Sequence, residues 1–289
     1  MIIVKLIGGL GNQLFQYAVG RHLAHMNHTE LKLDITGFEE YKLHSYSLNH
    51  LNIKENFATK EEVRSFRKYQ RRNGRVWFAY NRLVADDTKY IIEKQFNFDQ
   101  RILDLKPPVY LDGYWQTERY FKDIESIIRA EFTIKEPLSG ENMEVADLIQ
   151  KTNAISLHVR RADYVSNAVA NASHGTCDVD YYKKATSIIM EKVSNPHFFI
   201  FSDDMVWAKQ NIILDYPTTY VDHNDASTNY EDLRLMSLCK HNIIANSSFS
   251  WWGAWLNTNP QKIIIAPQQW FKTPKMDTRD ITPSTWTKI

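Results

Sequence analysis

The chain has 289 residues, of which 43% are hydrophobic and 24% are charged, a composition typical of a globular protein with a sizeable core. Lys and Arg number 35 against 34 Asp and Glu, and the resulting net charge of +1 excludes a general electrostatic attraction to nucleic acid. Two cysteines, Cys177 and Cys239, are too few for a disulfide framework or a cysteine-rich zinc site. The apolar start ends at Gly8, so we expect no signal peptide. No apolar run approaches the roughly 18–20 residues that span a bilayer, so we expect a cytoplasmic protein.

The first half of the chain opens with a βαβ pattern. A short apolar strand is predicted over residues 2–7, followed by a glycine loop and by a helix over about 12–26 whose apolar side chains repeat at helical spacing. A second strand is predicted over 31–35. Residues from about 38 to 104 show no regular pattern that we can assign.

The glycine loop GGLGNQ, residues 8–13, resembles the dinucleotide-binding pattern GxGxxG only in part. Its third glycine is missing, and the next strand offers only Asp34 as a ribose-binding acid. Tight backbone at Gly11 and the amides of Asn12 and Gln13 near a helix N-terminus nevertheless suit a diphosphate or a sugar. The alternative is a simple turn between a strand and a helix.

A predicted strand over 109–115 (VYLDGYW) and a predicted helix over 117–132 complete the first half. The following segment EPLSGEN, residues 136–142, carries the Pro, Gly and Ser of an interdomain linker. We therefore expect an N-terminal α/β domain over residues 1–140 and a C-terminal, nucleotide-sugar-binding domain over residues 141–289.

The second half alternates short apolar segments with helices. Strands are predicted over 154–159, 197–202, 218–222, 242–246 and 262–267, and helices over 181–193, 205–213, 230–240 and 249–257. Strands that are apolar throughout and separated by helices indicate a parallel sheet covered on both faces. The predicted fold class is α/β, with two Rossmann-like domains facing a cleft.

Three polar clusters follow strands in this half: HVRRADY at residues 158–164, SDD at 202–204 and NSSFS at 246–250. Open parallel sheets bind ligands just beyond the carboxyl ends of their strands, so we expect the clusters to form one site. Each cluster also has a structural interpretation. Arg–Asp pairs hold loops together, Ser and Asp cap helices, and a lone His is usually part of a core.

The residue types in these clusters suit a nucleotide diphosphate. The guanidinium groups of Arg160 and Arg161 offer permanently charged, bidentate donors to phosphate oxygens. Further anion donors are expected where the last helix begins: Asn246, Ser247, Ser248 and Phe249. Acidic groups that can accept from ribose hydroxyls or from the N–H edge of guanine are Asp203, Asp204 and Asp232. Such a pocket needs no P-loop, and the sequence contains no GxxxxGK[ST].

In this order, the motifs GGLGNQLFQYA, GYWQTERYF, HVRRADY, FSDD and NSSFSWWGAWLN resemble the alpha-1,2-fucosyltransferases of glycosyltransferase family 11, bacterial members in particular. The resemblance covers most of the chain. It implies a GT-B-like fold, GDP-fucose as donor, a galactoside as acceptor, inversion at the anomeric carbon and no required metal or other cofactor. It also implies that Arg160, which follows Val159, binds the donor phosphates, and we expect His158 to be a further donor-binding residue. The more distant alpha-1,6- and protein O-fucosyltransferases are similar around GDP, which supports Arg160, Asp204, Ser247, Ser248 and Phe249.

A mechanism follows from this resemblance. Loss of GDP develops negative charge that Arg160, with Arg161, would stabilise, and inversion favours donor and acceptor held by separate domains. Asn12, in the first domain, is expected to be a catalytic residue. Asp163 is the nearest candidate base, although it can equally orient Arg160.

Three other features have competing interpretations. Asp178-Val179-Asp180 matches the metal-binding DxD pattern, but a helix follows and Asp180 is better interpreted as its N-cap. The basic run at residues 64–75 suits an anionic surface, a lipid-linked acceptor or nucleic acid, or is one solvated helix face. The aromatic rings of Trp251, Trp252 and Trp255 can stack on a sugar or, at this helical spacing, pack in the core.

We therefore expect an enzyme that uses GDP-fucose and a galactose-terminated acceptor, does not bind nucleic acid and makes at most peripheral membrane contact. The alternatives are a non-catalytic protein that binds nucleic acid or anionic glycan, and a transferase of the same fold that uses another nucleotide sugar.

Overall fold

The computed structural model describes residues 1–41, 43–67, 89–161, 175–272 and 276–289. The chain divides into two units, of which the first comprises Met1–Thr133 with Arg279–Ile281 and the second comprises Ile134–Thr278 with Thr282–Ile289. The expected domain boundary after residue 140 falls inside the second unit, at the first residue of a helix. Asp163 and residues 68–75 of the basic run lie outside the described residues, so their predicted roles stay predictions.

The first unit is built on a parallel sheet in the order β2-β1-β4-β3. Its strands are β1 Ile2–Lys5, β2 Leu31–Asp34, β3 Tyr90–Ile92 and β4 Val109–Asp112. Its helices are α1 Leu10–Met26, α2 Lys60–Arg67 and α3 Glu125–Glu131. The chain passes from β1 to β2 on one side of β1, and then forms β3 and β4 on the other side. The topological switch point of this sheet therefore lies between β1 and β4.

The predicted helix over 117–132 is wrong in its first half. Two short 3-10 turns, Glu118–Tyr120 and Lys122–Ile124, precede α3. The hydroxyl of Thr117 caps the first turn, and Phe121 between the turns has a non-helical backbone with φ −145° and ψ 7°. Because Phe121 and its neighbour Tyr120 are buried, core packing overrides the helical spacing of this segment.

The second unit carries a parallel sheet in the order β10-β9-β8-β5-β6-β7, which confirms the predicted parallel architecture. Its strands are β5 Asn153–Val159, β6 Pro196–Ser202, β7 Thr218–Val221, β8 His241–Ile243, β9 Ile264–Ala266 and β10 Thr287–Lys288. Its helices are α4 Gly140–Lys151, α5 Val179–Met190, α6 Met205–Asn211, α7 Asn229–Leu238 and α8 Ser248–Leu256. Helix α4 begins inside the predicted linker, and β10, of only two residues, was not predicted.

Both faces of this sheet are buried. Alternate residues of β5 and β6 enter the cluster that packs on α5: Ile155, Leu157, Val159, Phe198 and Ile200. The residues between them enter the cluster formed with α4 and α7: Ala154, Phe199 and Phe201. Each large side chain buried in this way contributes roughly 1.5–3 kcal/mol, which explains why the strands are apolar throughout.

The tryptophans of α8 belong to the core. Trp251, Trp252 and Trp255 are 0%, 0% and 4% exposed, and the ring of Trp286 lies 5.4 Å from that of Trp251. Their core interpretation is therefore confirmed, and rings buried to this degree present no face for stacking on a sugar. Across the described ranges, we find no helix with both the length and the apolar character needed to cross a membrane.

Candidate functional site

The second sheet has its topological switch point between β5 and β8. From β5 the chain proceeds through β6 to β7 on one side, and then through β8 and β9 to β10 on the other. Open parallel sheets bind ligands beyond the carboxyl ends of the two strands that flank such a point. Arg160 directly follows β5, and the loop after β8 leads into α8. The structure thus brings the predicted arginine and NSSFS clusters to the two sides of this point.

Arg160 is held by an acidic partner on the neighbouring strand. Its Nη1 lies 2.8 Å from Oδ2 of Asp203, and their side chains are 23% and 21% exposed. Oδ1 of Asp203 also accepts the backbone N–H of Arg161 at 2.8 Å. Asp203, predicted to bind ribose or guanine, therefore joins the ends of β5 and β6 and orients Arg160. This cluster therefore contains an Arg–Asp pair that holds two loops together, and the guanidinium of Arg160 is still partly exposed to solvent.

Arg161 is directed away from that pair. Its guanidinium carbon lies 3.9 Å from the ring centroid of Trp207 on α6, a cation–π contact. Its Nε is 3.8 Å from Oδ2 of Asp204, and this buried nitrogen has no hydrogen-bond partner within the described part of the chain. Asp204 caps α6 by accepting the N–H of Trp207 at 3.1 Å. Arg161 and Asp204 therefore brace the start of α6 in this structure.

His158 is a neutral, buried side chain. It is 4% exposed, and its ring centroid lies 5.7 Å from that of Phe249. Burial lowers the pKa of His158 to about 4, with Arg160 lowering it further and Asp203 opposing the shift. A neutral imidazole adds no positive charge at neutral pH, so the positive charge at the end of β5 comes from the guanidinium groups of Arg160 and Arg161.

The start of α8 is capped by a serine and carries no acidic side chain. Ser247 is the N-cap, and its Oγ accepts the N–H of Phe249 at 3.3 Å. No acidic residue lies in the first turn, so the partial positive charge of the helix is not neutralised there. Asn246 is 4% exposed and donates to the carbonyls of Gly175 and Trp270 at 3.2 Å each, so its amide positions the loop. Ser248 is half-buried.

The DxD match forms a helix cap. Oδ1 of Asp178 accepts the N–H of Tyr181 at 2.8 Å, because α5 begins at Val179, before the predicted start. The predicted N-cap role of Asp180 is therefore wrong, since this residue lies in the first turn. Within the described ranges, no three His, Cys, Asp or Glu side chains form a group that could hold a metal ion.

In the first unit, the glycine loop and the loop after β4 flank the switch point between β1 and β4. Helix α1 begins at Leu10, so Gly11 and Asn12 lie in its first turn. Gly8 has φ +82°, and a Cβ there would lie 2.5 Å from Nδ2 of Asn12. Oδ1 of Asn12 accepts from Nε2 of Gln116 at 2.8 Å. Asn12 thus bridges the ends of the two strands.

Gln13 has a structural part in this loop. It is fully buried, and its amide nitrogen donates to the carbonyls of Gly8 and Ser45, both at 2.8 Å. Its Oε1 accepts the N–H of Ser47 at 2.9 Å. Both amide hydrogens are used, which leaves none for the predicted contact with a donor sugar. Asp34 is likewise buried and accepts from Thr36 and from the hydroxyl of Tyr110, so it is not a ribose acceptor.

Sequence reasoning missed two residues at this switch point. Oε1 of Gln16 accepts the N–H of Ile7 at 3.0 Å, and its Nε2 donates to the carbonyl of Gly113 at 3.1 Å. A signal was present, because Gln13 and Gln16 lie among the buried residues of α1, where an amphipathic helix normally carries apolar side chains. The second residue is Gln116, in the motif GYWQTERYF, whose Nε2 donates to Asn12.

A half-buried polar cluster follows β7 at the same edge as Arg160. Nδ2 of Asn224 donates to Oδ1 of Asp232 at 2.7 Å, and Asn142 exchanges hydrogen bonds with Asn224 at 2.9 and 3.0 Å. Burial raises the pKa of Asp232 to about 7, although the bond from Asn224 acts in the opposite direction. This carboxyl therefore changes its charge close to neutral pH.

The family model described as Glycosyl transferase family 11 matches residues 1–289. This chain belongs to glycosyltransferase family 11. Two relatives from Escherichia coli match along nearly their whole length. The alpha-1,2-colitosyltransferase is 37% identical and covers 100% of this chain and 99% of its own, and the O-antigen biosynthesis glycosyltransferase WbnK is 34% identical over 92% and 93%. Human galactoside alpha-(1,2)-fucosyltransferase 1 is 26% identical, with 53% of this chain and 44% of the human protein covered.

One solved structure of another protein has a fold similar to that of the family 11 enzyme. A mutant of Arabidopsis thaliana FUT1 in complex with GDP matches with a TM-score of 0.54 at 10% identity, over 91% of this chain and 69% of that chain. Together with the two parallel-sheet units, this match confirms the predicted GT-B-like α/β fold.

The titration of Asp232 predicts how the stability of the family 11 enzyme depends on pH. Burial raises the pKa of Asp232 from its ordinary value of 3.8 to about 7, so its stabilising contribution is complete below about pH 4 and is lost as the pH rises through 7. We expect the free energy of unfolding of the wild type to fall by about 1–3 kcal/mol relative to Asp232→Asn between pH 5 and 8. Urea titrations of both proteins measure this difference, and parallel pH curves would contradict it.

Proposed function

We propose that this enzyme transfers L-fucose from GDP-β-L-fucose to the 2-hydroxyl of a terminal galactoside, with inversion and without a metal ion. The observation that carries the proposal is the placement of Arg160 and of the uncompensated N-terminus of α8 after β5 and β8, on the two sides of a switch point. A fixed guanidinium and a helix N-terminus together suit a diphosphate leaving group.

Breaking the bond between C1 of fucose and the phosphate oxygen leaves its electron pair on GDP. Donors fixed in advance stabilise that charge at the moment it develops, typically by about 3–4 kcal/mol for each important donor. Asp203 supports this role because its 2.8 Å pair with Arg160 fixes the guanidinium before the donor binds. The same positive charge takes the place of a divalent cation in the proposal.

The polar cluster after β7 supports guanine as the base. A carboxylate such as Asp232 can accept from the adjacent N1–H and N2–H groups of guanine, whereas uracil places carbonyl oxygens on both sides of its single N–H.

The names of two relatives support the 1,2-linkage. The Escherichia coli colitosyltransferase and the human galactoside fucosyltransferase are both alpha-1,2 enzymes.

Colitose is the second candidate donor sugar. The relative with 37% identity over the whole chain is a colitosyltransferase, and colitose is fucose without its 3-hydroxyl. The two donors differ by one hydrogen-bonding group. A site built to bind the 3-hydroxyl rejects the deoxy sugar by about 10⁴-fold, whereas a site without such contacts accepts both.

A transfer assay tests the proposal. The enzyme is incubated with a β-galactoside and with GDP-fucose, GDP-colitose or a UDP-sugar, and the product linkage is determined by NMR. We expect an α-1,2-linked fucoside, a kcat/KM at least about tenfold higher for GDP-fucose than for GDP-colitose, and no loss of rate in EDTA. A higher kcat/KM for GDP-colitose would instead identify colitose as the donor sugar. Loss of activity in EDTA with recovery in Mn²⁺ would overturn metal independence.

A further inference from the structure

Glu93 lies at the carboxyl end of β3 in the first unit. Its backbone N–H donates to the carbonyl of Asp112 at 2.9 Å, which continues the ladder between β3 and β4. Its side chain turns to the loop after β4, where Oε2 accepts the N–H of Tyr114 at 2.6 Å and Oε1 accepts that of Trp115 at 3.0 Å. A carboxylate has about four lone-pair sites, so these two bonds fix its orientation and leave capacity for a ligand.

The loop that receives Glu93 is strained and closely packed. A Cβ on Gly113 would lie 2.4 Å from Cβ of Glu93, so only glycine allows this approach. Trp115 has φ +58°, a left-handed conformation that costs a bulky residue on the order of 1–3 kcal/mol. This conformation directs two successive backbone N–H groups at one carboxylate. Strain of this kind persists where surrounding contacts impose it, and it is concentrated at ligand sites.

The same loop has buried polar atoms without partners. Nε1 of Trp115 and Oε1 of Gln116 are buried and make no hydrogen bond within the described residues, although the side chains are only 1% and 6% exposed. Leaving such atoms unpaired costs about 1–3 kcal/mol each. One is a donor and the other an acceptor, which is the complement that sugar hydroxyls offer. The hydrogen bonding of this loop is therefore incomplete among the described residues, at the point where Glu93 contacts it.

The other carboxylates at the carboxyl edge of this sheet are already occupied. Asp112 pairs with Lys5 at 3.0 Å and accepts from the hydroxyl of Tyr90 at 2.7 Å. Asp34, at the end of β2, is fully buried by its own partners. Glu93 has no Lys or Arg partner among the residues that the structure describes.

The charge state of Glu93 suits proton transfer near neutral pH. Burial raises its pKa to about 7, and the N–H groups of Tyr114 and Trp115 oppose the shift. The titratable groups around it are Tyr114, Tyr120 and Asp112, the last neutralised by Lys5. A general base is most effective when its pKa lies near the working pH.

We propose that Glu93 is the catalytic base, which accepts the proton of the acceptor hydroxyl in a sugar subsite at the carboxyl edge of the first unit's sheet. The inference rests on the proposed function, because it presupposes transfer to a sugar hydroxyl. In the step, the acceptor oxygen bonds to C1 of the donor sugar, and the bond from C1 to the diphosphate breaks with its electron pair leaving on GDP. The hydroxyl proton moves to Glu93, which later releases it to water.

Glu93→Gln tests the base, with Glu125→Gln as the matched control. Glutamine keeps the size of the side chain and one oxygen for the loop N–H groups. Glu125 lies in the same unit and pairs with Arg129 one turn along α3, in a partly exposed i,i+4 pair that contributes little. We expect Glu93→Gln to lower kcat about 10²-fold, to change the acceptor KM by less than about threefold and to leave the thermal shift caused by GDP unchanged. The wild-type rate should rise with pH through about 7, and this acid limb should vanish in Glu93→Gln and persist in Glu125→Gln.

Different failures have different readouts. If Glu93→Gln keeps the wild-type acid limb, or raises the acceptor KM with kcat unchanged, Glu93 only positions the loop and the inference is overturned. If Glu93→Gln does not fold, the Glu93→Asp variant is tested in its place. We expect Glu93→Asp to be slower than the wild type and its rate to rise with pH around a different midpoint. An unchanged midpoint would overturn the inference. If the wild type transfers no sugar from any GDP donor, the proposed function itself has failed.

Discussion

Replacing Arg160 by alanine is expected to lower the rate of transfer about 10³-fold while leaving the protein folded. Arg160 is held 2.8 Å from Asp203 with 23% of its side chain exposed, so its removal takes a fixed positive charge from a partly shielded site. In the proposed mechanism, only the start of α8 then remains to stabilise the charge on the departing GDP. Initial rates of GDP release at saturating donor and acceptor measure the loss, and thermal unfolding checks the fold.

Arg161→Ala is the control for this substitution. Its guanidinium stacks 3.9 Å from the ring of Trp207, so we expect at most a roughly tenfold loss of rate and a stability loss of about 1 kcal/mol. The two roles would be reversed if Arg161→Ala proved the more damaging change. A rate for Arg160→Ala within about threefold of the wild type would contradict its role at the leaving group.

Ser248→Asp is expected to weaken GDP binding by about 10²- to 10³-fold without destabilising the protein. Ser248 is the first residue of α8, whose first turn contains no acid. An aspartate there interacts favourably with the helix dipole, worth about 0.3–1 kcal/mol, so the midpoint of thermal unfolding should hold or rise. The same negative charge repels a diphosphate at close range. Calorimetric titration with GDP measures the affinity.

Ser248→Asn separates charge from size in this experiment. Asparagine is close in shape to aspartate but carries no charge, so we expect its affinity for GDP to stay within about fivefold of the wild type. Equal affinities for GDP in Ser248→Asp and Ser248→Asn would place the phosphates away from α8.

The second unit was the more predictable part of the molecule. Its strands are buried on both faces, so each appears in the sequence as an apolar run between helices, and the three polar clusters come directly after strands. The pairings inside the site were not predictable. That Asp203 holds Arg160, and that Arg161 stacks on Trp207, depends on which strands are neighbours and on where α6 begins.

The first unit resisted prediction for identifiable reasons. Strand β3 has three residues, too few for a period to be visible, so Glu93 at its end had no context in the sequence. The predicted strand over 109–115 ends at Asp112, and Trp115 has a left-handed backbone. The burial of Phe121 breaks the following segment, whose spacing is helical. The switch points between β1 and β4 and between β5 and β8 emerge only from the order of strands in each sheet.

A crystal structure of the wild type with GDP bound tests the central claim most directly. We expect the diphosphate between the ends of β5 and β8, with the guanidinium of Arg160 and the first backbone N–H groups of α8 at about 2.7–3.2 Å from its oxygens. A diphosphate held instead by the glycine loop at Gly8 and Asn12, with no contact to Arg160 or to the start of α8, would contradict it.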